Sequence, residues 1–383
     1  MNDRQSTVSR RRFLETGVAA AGAFTILKPE LVRGSQASSK ITVGLIGCGN
    51  RGTYDAGLLI GTGKVTITVL CDLFEDRTEA AMQKLKLDRP AVHTDYQKVL
   101  ASGVDAVLIA TPPFEHPPML EAAVQARKHT YCEKPMGVDL AGCKRVIAAG
   151  RKADPKKCIS VGFQQRYGPV YQEAYKRVTG GDIGELAVAR AYWIGSDPFK
   201  RVPYPDPKIE KIRNWFCFKD LSGDFIVEQD CHNFDVLHWF LGGLPLRAVG
   251  YGGRKVRTSM DLLDRLSLTF EWPNDIQVAY EANQLTPRGY SKVGEEFTGT
   301  KGTIQTSRGG LIHTKGPAPN DVENIKSREP TADAMEEFAN RILSGDVENV
   351  AERSARSTLI ALLGREATYS RKEVTWKGLF GSV

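Results

Sequence analysis

The sequence predicts an α/β protein in two parts: a doubly wound parallel sheet, then a region whose strands form a second sheet with one covered face. Three observations carry this. Apolar runs of strand length alternate with helical patterns between residues 41 and 152, the rhythm of βαβ units. The first run ends in a glycine-rich turn of the kind that joins a strand to a helix. Beyond residue 180, short runs with period-two alternation replace that rhythm.

Ahead of the first sheet stands Ser9-Arg10-Arg11-Arg12-Phe13-Leu14, the order of a twin-arginine export signal. The apolar run that follows, residues 17–27, is far shorter than the roughly 20 residues that span a bilayer. Ser35-Gln36-Ala37 offers a small-residue cleavage site. Residues 1–37 are therefore read as a signal peptide handled by the twin-arginine machinery. The remainder is expected to be a soluble protein of the periplasm or otherwise exported.

The chain has 383 residues and a net charge of +7, and without residues 1–37 the charge is +4, with no basic block. Nucleic acid is not an expected partner. Seven cysteines are scattered without close pairs or metal-type spacing, which argues against a disulfide framework.

Residues 40–52 read KITVGLIGCGNRG. A buried strand over Ile41–Ile46 runs into Gly47, Gly49 and Gly52, the G-x-G-x-x-G spacing. Gly47 permits the tight turn, Gly49 lets the backbone approach a pyrophosphate, and Gly52 lets the helix lie close to the sheet. Asn50 and Arg51 begin that helix, whose N–H groups face an anion. A second strand ends in Cys71-Asp72, twenty residues after Gly52. Asp72 is placed to accept hydrogen bonds from an adenosine ribose, and its charge repels the extra phosphate of NADP. The first part is thus expected to be a Rossmann domain holding NAD in preference to NADP.

The alternation continues through a strand at residues 105–110 and another at 130–132. They are followed by Thr111-Pro112-Pro113 with His116, and by Glu133-Lys134-Pro135. Both turns fall beyond the carboxyl ends of strands, where such sheets bind ligands. Thr111, Pro112, His116 and Glu133 are therefore candidate cofactor contacts. Gln164 and Arg166 follow the strand that begins at Ile159 and are placed to touch cofactor and substrate, respectively.

Residues 222–243, SGDFIVEQDCHNFDVLHWFLGG, read as one helix, capped by Asp224 and closed by Gly242 or Gly243. At 100° per residue, Glu228, His232, Asp235 and Trp239 lie within about 60° of one another. Cys231, His232, Asp235 and His238 fan around the helix instead of converging, and no distant cluster completes a metal shell. No metal is expected. Further strands are expected at residues 186–194, 248–252, 266–272, 276–282 and 303–306, a loop at 314–330, and a final helix near 352–369.

The ordered set GLIGCGNRG, CDLFEDR, TDYQKVL, ATPPFEH, CEKP, VGFQQRY, IVEQDCHNFD, GTKGTIQTS and LIALLGREATYSRKEVTW resembles the glucose–fructose oxidoreductase / inositol dehydrogenase / MocA family. That resemblance implies a Rossmann domain, placed here at 38–158, and a substrate-binding and oligomerisation domain, placed at 159–383. The second domain is then an α/β domain with a large, mostly antiparallel open sheet that often forms the oligomer interface, in a homo-dimer or homo-tetramer. The resemblance also implies a nicotinamide-dependent enzyme acting on a carbohydrate or cyclic polyol. Lys134 matches the family lysine and, with it, a cis bond before Pro135. His232 and Asp235 match its His-x-x-Asp positions. Glu228 stands where the family usually has aspartate, and Asp230 where it usually has glycine. Lys134, His232 and Glu228 are thus the candidate catalytic residues, and Lys134, Arg166, Glu228, His232 and Asp235 line the substrate side. A family loop implies that Arg213 and Trp215 lie near the nicotinamide.

A lysine at its free pKa of about 10.4 cannot take a hydroxyl proton. Burial or a neighbouring cation is therefore expected to lower that of Lys134. The leading reading is oxidation of a secondary hydroxyl of a sugar, glycoside or polyol, with hydride passing to a tightly bound NAD. An NAD-dependent glycosidase or lyase using transient oxidation, and a non-catalytic cofactor-dependent binding protein, are the alternatives.

Overall fold

The computed structural model describes residues 40–382 other than Phe199. The anticipated export signal and its cleavage site lie outside these residues. Six parallel strands form the first sheet: β1 (Ile41–Ile46), β2 (Val65–Cys71), β3 (Ala91–His93), β4 (Ala106–Ile109), β5 (His129–Cys132) and β6 (Ile159–Val161), in the order β3-β2-β1-β4-β5-β6. The order reverses between β1 and β4, and helix α1 (Asn50–Gly61) leaves β1 at that switch point. Both faces are covered, which is why these strands read as continuous apolar runs. In β4, Val107 and Ile109 enter one buried cluster, and Ala106 and Leu108 the other.

The sequence-based boundary at 158/159 falls just before β6, a strand of the first sheet. A much later segment also joins this domain. Helix Thr331–Ser344 packs on α1, and its Phe338 meets Tyr131 of β5 edge-on at 5.6 Å.

The second sheet has nine strands: β7 (Leu186–Ile194), β8 (Arg247–Gly253), β9 (Arg265–Trp272), β10 (Ile276–Asn283), β11 (Lys292–Gly299), β12 (Gly302–Ser307), β13 (Gly310–Thr314), β14 (Val322–Lys326) and β15 (Val374–Thr375). Their order is β14-β13-β12-β11-β7-β10-β9-β8-β15, antiparallel throughout except for β7 beside β10. Burial alternates along β10: Ile276, Val278, Tyr280 and Ala282 are buried, while Gln277, Ala279 and Glu281 face out. The expected loop at 314–330 instead contains edge strand β14, whose polar sequence VENIK carries little strand signal.

Helices cover the inner face, among them Pro169–Gly180 over β12 and β13. The segment 222–243 is not the single helix its polarity suggests. It breaks into α2 (Phe225–Glu228) and α3 (Cys231–Leu241), with Gln229 and Asp230 between them. Helix α4 (Ala351–Ser370) is buried along much of its length and packs against both sheets' surroundings, touching helix Leu140–Arg151 on one side and β8 on the other. No described helix is long and apolar enough to cross a membrane.

Candidate active site

The cradle forms where β1 meets α1. Gly47 has φ +94°, and a Cβ there would stand 2.5 Å from Ala110 O. A Cβ on Gly52 would lie 2.0 Å from Gly47 O, so the helix sits against its own entry turn. A Cβ on Gly49 would meet nothing within 4 Å. That open side, at the uncapped N-terminus of α1, is where a pyrophosphate would approach. Asp72 closes the cradle from the end of β2. Its Oδ2 accepts from Cys48 N at 2.8 Å and its Oδ1 from Phe74 N at 3.1 Å. Glycines, helix end and acid thus fit a dinucleotide.

The neighbouring turns are tied together. His116 is buried with its ring nitrogens 2.7 Å from Pro135 O and 2.8 Å from Thr111 O. It therefore braces the two turns. Thr111 and Pro112 remain half-buried beside it. Arg51 turns beneath the cradle: its Nε and Nη2 donate to Glu133 Oε1 at 3.0 and 2.9 Å, and Nε lies 3.0 Å from Asp55 Oδ2. Burial and then the charge of Glu133 hold Asp55 well above the usual carboxylate range, with Arg51 opposing. Burial pushes Glu133 up as well, but Arg51 and Lys134 outweigh it and the net shift is down. Asp55 is thus biased toward its protonated form and Glu133 toward its ionised one.

Lys134 follows, and the bond to Pro135 is cis, as the resemblance implies. Its ammonium donates to Glu228 O at 2.6 Å and Glu228 Oε1 at 3.0 Å. The first of these acceptors is a carbonyl at the end of α2, released by the break before α3. Burial draws the Lys134 pKa down, but Glu228, Cys231 and Glu133 more than offset it and the net shift is upward. This corrects the expected lowering: burial brings a carboxylate with it.

His232 sits in the first turn of α3, 5 % exposed. Its ring stacks on Trp193 (6.0 Å between centroids, 20°) and meets Phe163 edge-on (6.0 Å, 89°). Burial first, then the charges of Lys134, Arg308 and Arg51, hold its pKa well below the usual value. The imidazole is neutral, and its buried Nδ1 has no hydrogen-bond partner.

The rest of the anticipated stripe points elsewhere. Asp235 is 1 % exposed; Arg166 donates to it from Nε at 2.8 Å and Nη2 at 2.9 Å, and Ser357 Oγ from α4 at 2.7 Å. Arg166 also lies over Trp239, 5.2 Å from its centroid. The pair ties the turn after β6 to α3 and α4. Arg213 reaches the far side of the cradle, pairing with Asp76 at 2.6 Å and lying 3.9 Å from the Phe74 ring centre. Trp215 is half-buried against Phe216, 5.8 Å between centroids.

Sequence reasoning missed Trp193, Arg308 and Gln284. Gln284 Nε2 donates to Gln229 Oε1 at 2.7 Å, beside Glu228, and helps to line a cleft with Asp197, Arg201 and Arg257. With its amide set to satisfy both neighbours, Gln164 donates to Gly162 O at 2.6 Å and accepts from Arg308 Nη2 at 3.2 Å. The one signal for Trp193 is its inward parity on β7; Arg308, in the turn after β12, carries none. Among the described residues no group of His, Cys, Asp and Glu is arranged to hold a metal, and all seven cysteines are unpaired and buried.

A family model described as "Oxidoreductase family, NAD-binding Rossmann fold" matches residues 41–163. The model of the GFO/IDH/MocA C-terminal domain matches 171–305. The chain is 25 % identical over 268 residues to inositol 2-dehydrogenase of Salmonella typhimurium, covering 69 % of this chain and 73 % of that one. It is 24 % identical over 332 residues to scyllo-inositol 2-dehydrogenase (NAD(+)) of Bacillus subtilis, covering 84 % and 91 %. Among solved structures, myo-inositol 2-dehydrogenase from Lactobacillus plantarum superposes with a TM-score of 0.71 at 20 % identity, covering 88 % of this chain and 99 % of that one. Levoglucosan dehydrogenase in complex with NADH and levoglucosan gives 0.74 at 17 % identity, with the same coverage. The likeness of these structures is one of fold.

Proposed function

This chain belongs to the GFO/IDH/MocA family of NAD-binding oxidoreductases, and we propose that it oxidises a secondary hydroxyl of a sugar, glycoside or cyclic polyol. One observation carries the assignment of roles: a neutral imidazole with an unpartnered Nδ1 lies within the field of a buried ammonium, beside the cradle. Held by the Gly47–Gly52 turn and Asp72, a bound NAD would supply the hydride acceptor. Lys134, held charged by Glu228, donates a hydrogen bond to the reacting oxygen and stabilises negative charge as it develops. His232 receives the hydroxyl proton at Nδ1. Trp193 and Phe163 fix the ring and exclude water from it. Asp72 favours NAD over NADP.

Names of the relatives support a cyclic polyol or sugar as substrate. Incubating the purified protein and NAD with a panel of inositols, hexoses, hexuronates and glycosides, while following absorbance of the reduced nicotinamide, tests this. Reduction by at least one of them is expected, with its loss in His232→Asn. A panel that leaves NAD oxidised overturns the reading.

Ser9 to Leu14 support export by the twin-arginine route to the periplasm. Folding with NAD before export then calls for a tightly held cofactor, so protein isolated from the periplasm should release nucleotide on denaturation. Exposed Val249 and Tyr251 on the outer face of the nine-stranded sheet support a homo-dimer or homo-tetramer, measurable by light scattering.

A further inference from the structure

The cations around this site are not equivalent. Lys134 is paired with Glu228, Arg51 with Glu133 and Asp55, and Arg166 with Asp235. Arg308 has no carboxylate within salt-bridge distance among the described residues. Its buried Nε has no hydrogen-bond partner, and the Gln164 amide takes only Nη2. Glu295, the acid whose field it feels, is already served by Asn233 Nδ2 and Thr306 Oγ1, each at 2.6 Å.

The guanidinium is also well placed. It lies 5.5 Å from the ring centre of Trp193, the same ring that stacks on His232. Its charge is among those that depress the His232 pKa. A half-buried guanidinium whose Nε is shielded from water and unpartnered calls for an acceptor. Its planar fork matches a carboxylate better than any single hydroxyl.

We propose that Arg308 binds a carboxylate on the substrate, so that the sugar oxidised is an acidic one, a hexuronate or its glycoside. The inference rests on the oxidoreductase reading above and narrows its substrate class. A neutral polyol would leave the guanidinium unsatisfied, whereas a uronate completes the charge balance of the site.

Matched pairs test it. Holoenzyme is assayed for hydride transfer with glucose against glucuronate, galactose against galacturonate, and inositols as further neutral substrates. At least one uronate is expected to exceed its neutral partner in kcat/KM by about tenfold to a hundredfold, the range for a charge-assisted hydrogen bond. In Arg308→Ala that ratio collapses toward one, mainly through KM of the acid, and Arg308→Lys restores part of it. A general packing defect would lower both members of a pair alike and would not be rescued by lysine. Reduction of NAD by neutral sugars with no preference for the acid overturns this inference and leaves the oxidoreductase reading standing. Absence of reduction with every acid and neutral compound overturns that reading, and this inference with it.

Discussion

Exchanging Glu228 for glutamine separates the two influences on Lys134. Glutamine keeps the shape and the main-chain oxygen at 2.6 Å, but removes the carboxylate charge 3.0 Å from the ammonium. Unit charges at that distance attract by about 5.5 kcal/mol at an effective dielectric near 20. Relaxation and residual solvent reduce this, and an opposite charge so close typically moves a pKa by about one to three units. The burial contribution, which acts downward, then dominates in the variant. In the parent the Lys134 pKa stands above its unfolded value, so the pair's contribution to stability is complete below about pH 10.4. It is lost as pH rises through the higher folded value. In the variant the folded pKa drops below the unfolded one, and stability should rise with pH between the two. Urea melts from neutral to alkaline pH read this directly. Single-turnover hydride transfer gives a second reading: its alkaline limb should move to lower pH by about one to three units. Coincident pH profiles for parent and variant, with the fold intact, would refute the claim that Glu228 holds the ammonium.

Four other outcomes are expected. Gly47→Ala forces a side chain onto φ +94° and into Ala110 O, so it should cost about 1–3 kcal/mol in melting experiments. Gly49→Ala meets no atom of the protein and should leave stability within about 0.5 kcal/mol while depleting bound nucleotide, measured after denaturation. Asp72→Ser removes the charge at the ribose corner and should raise the NADP:NAD ratio of kcat/KM by about tenfold or more, read in parallel assays. Burial pushes Glu295 up to about 7, against the hydrogen bonds from Thr306, Asn233 and Tyr171. The native state then binds the extra proton between the ordinary carboxylate range and about 7, so stability falls as pH rises through that window. Glu295→Gln should remove that change, which amounts to about 3 kcal/mol across the whole window, in chemical denaturation.

The cradle was legible because its signals are local: strand, glycines, helix and Asp72 lie within 32 residues of one another. Lys134 and His232 were legible through their flanking motifs. The helix break was not, since Gln229 and Asp230 preserve helical polarity; the break shows only once Lys134 takes the carbonyl of Glu228. Asp235 looked available because its partners, Arg166 and Ser357, are 69 and 122 positions away. Helix Thr331–Ser344 could not be assigned to the first sheet from sequence, because an amphipathic pattern does not say which surface it covers. Edge strand β14 escaped for a related reason: with little buried face, it shows no apolar alternation.

The interruption between Phe225–Glu228 and Cys231–Leu241 has a bearing on what can vary here. An ammonium anchored by a peptide oxygen is anchored by something every amino acid possesses. Substitution at position 228 can therefore retune reach and charge without casting the lysine adrift. The bend thus fixes where the lysine stands, while the side chain at position 228 sets how firmly it keeps its proton.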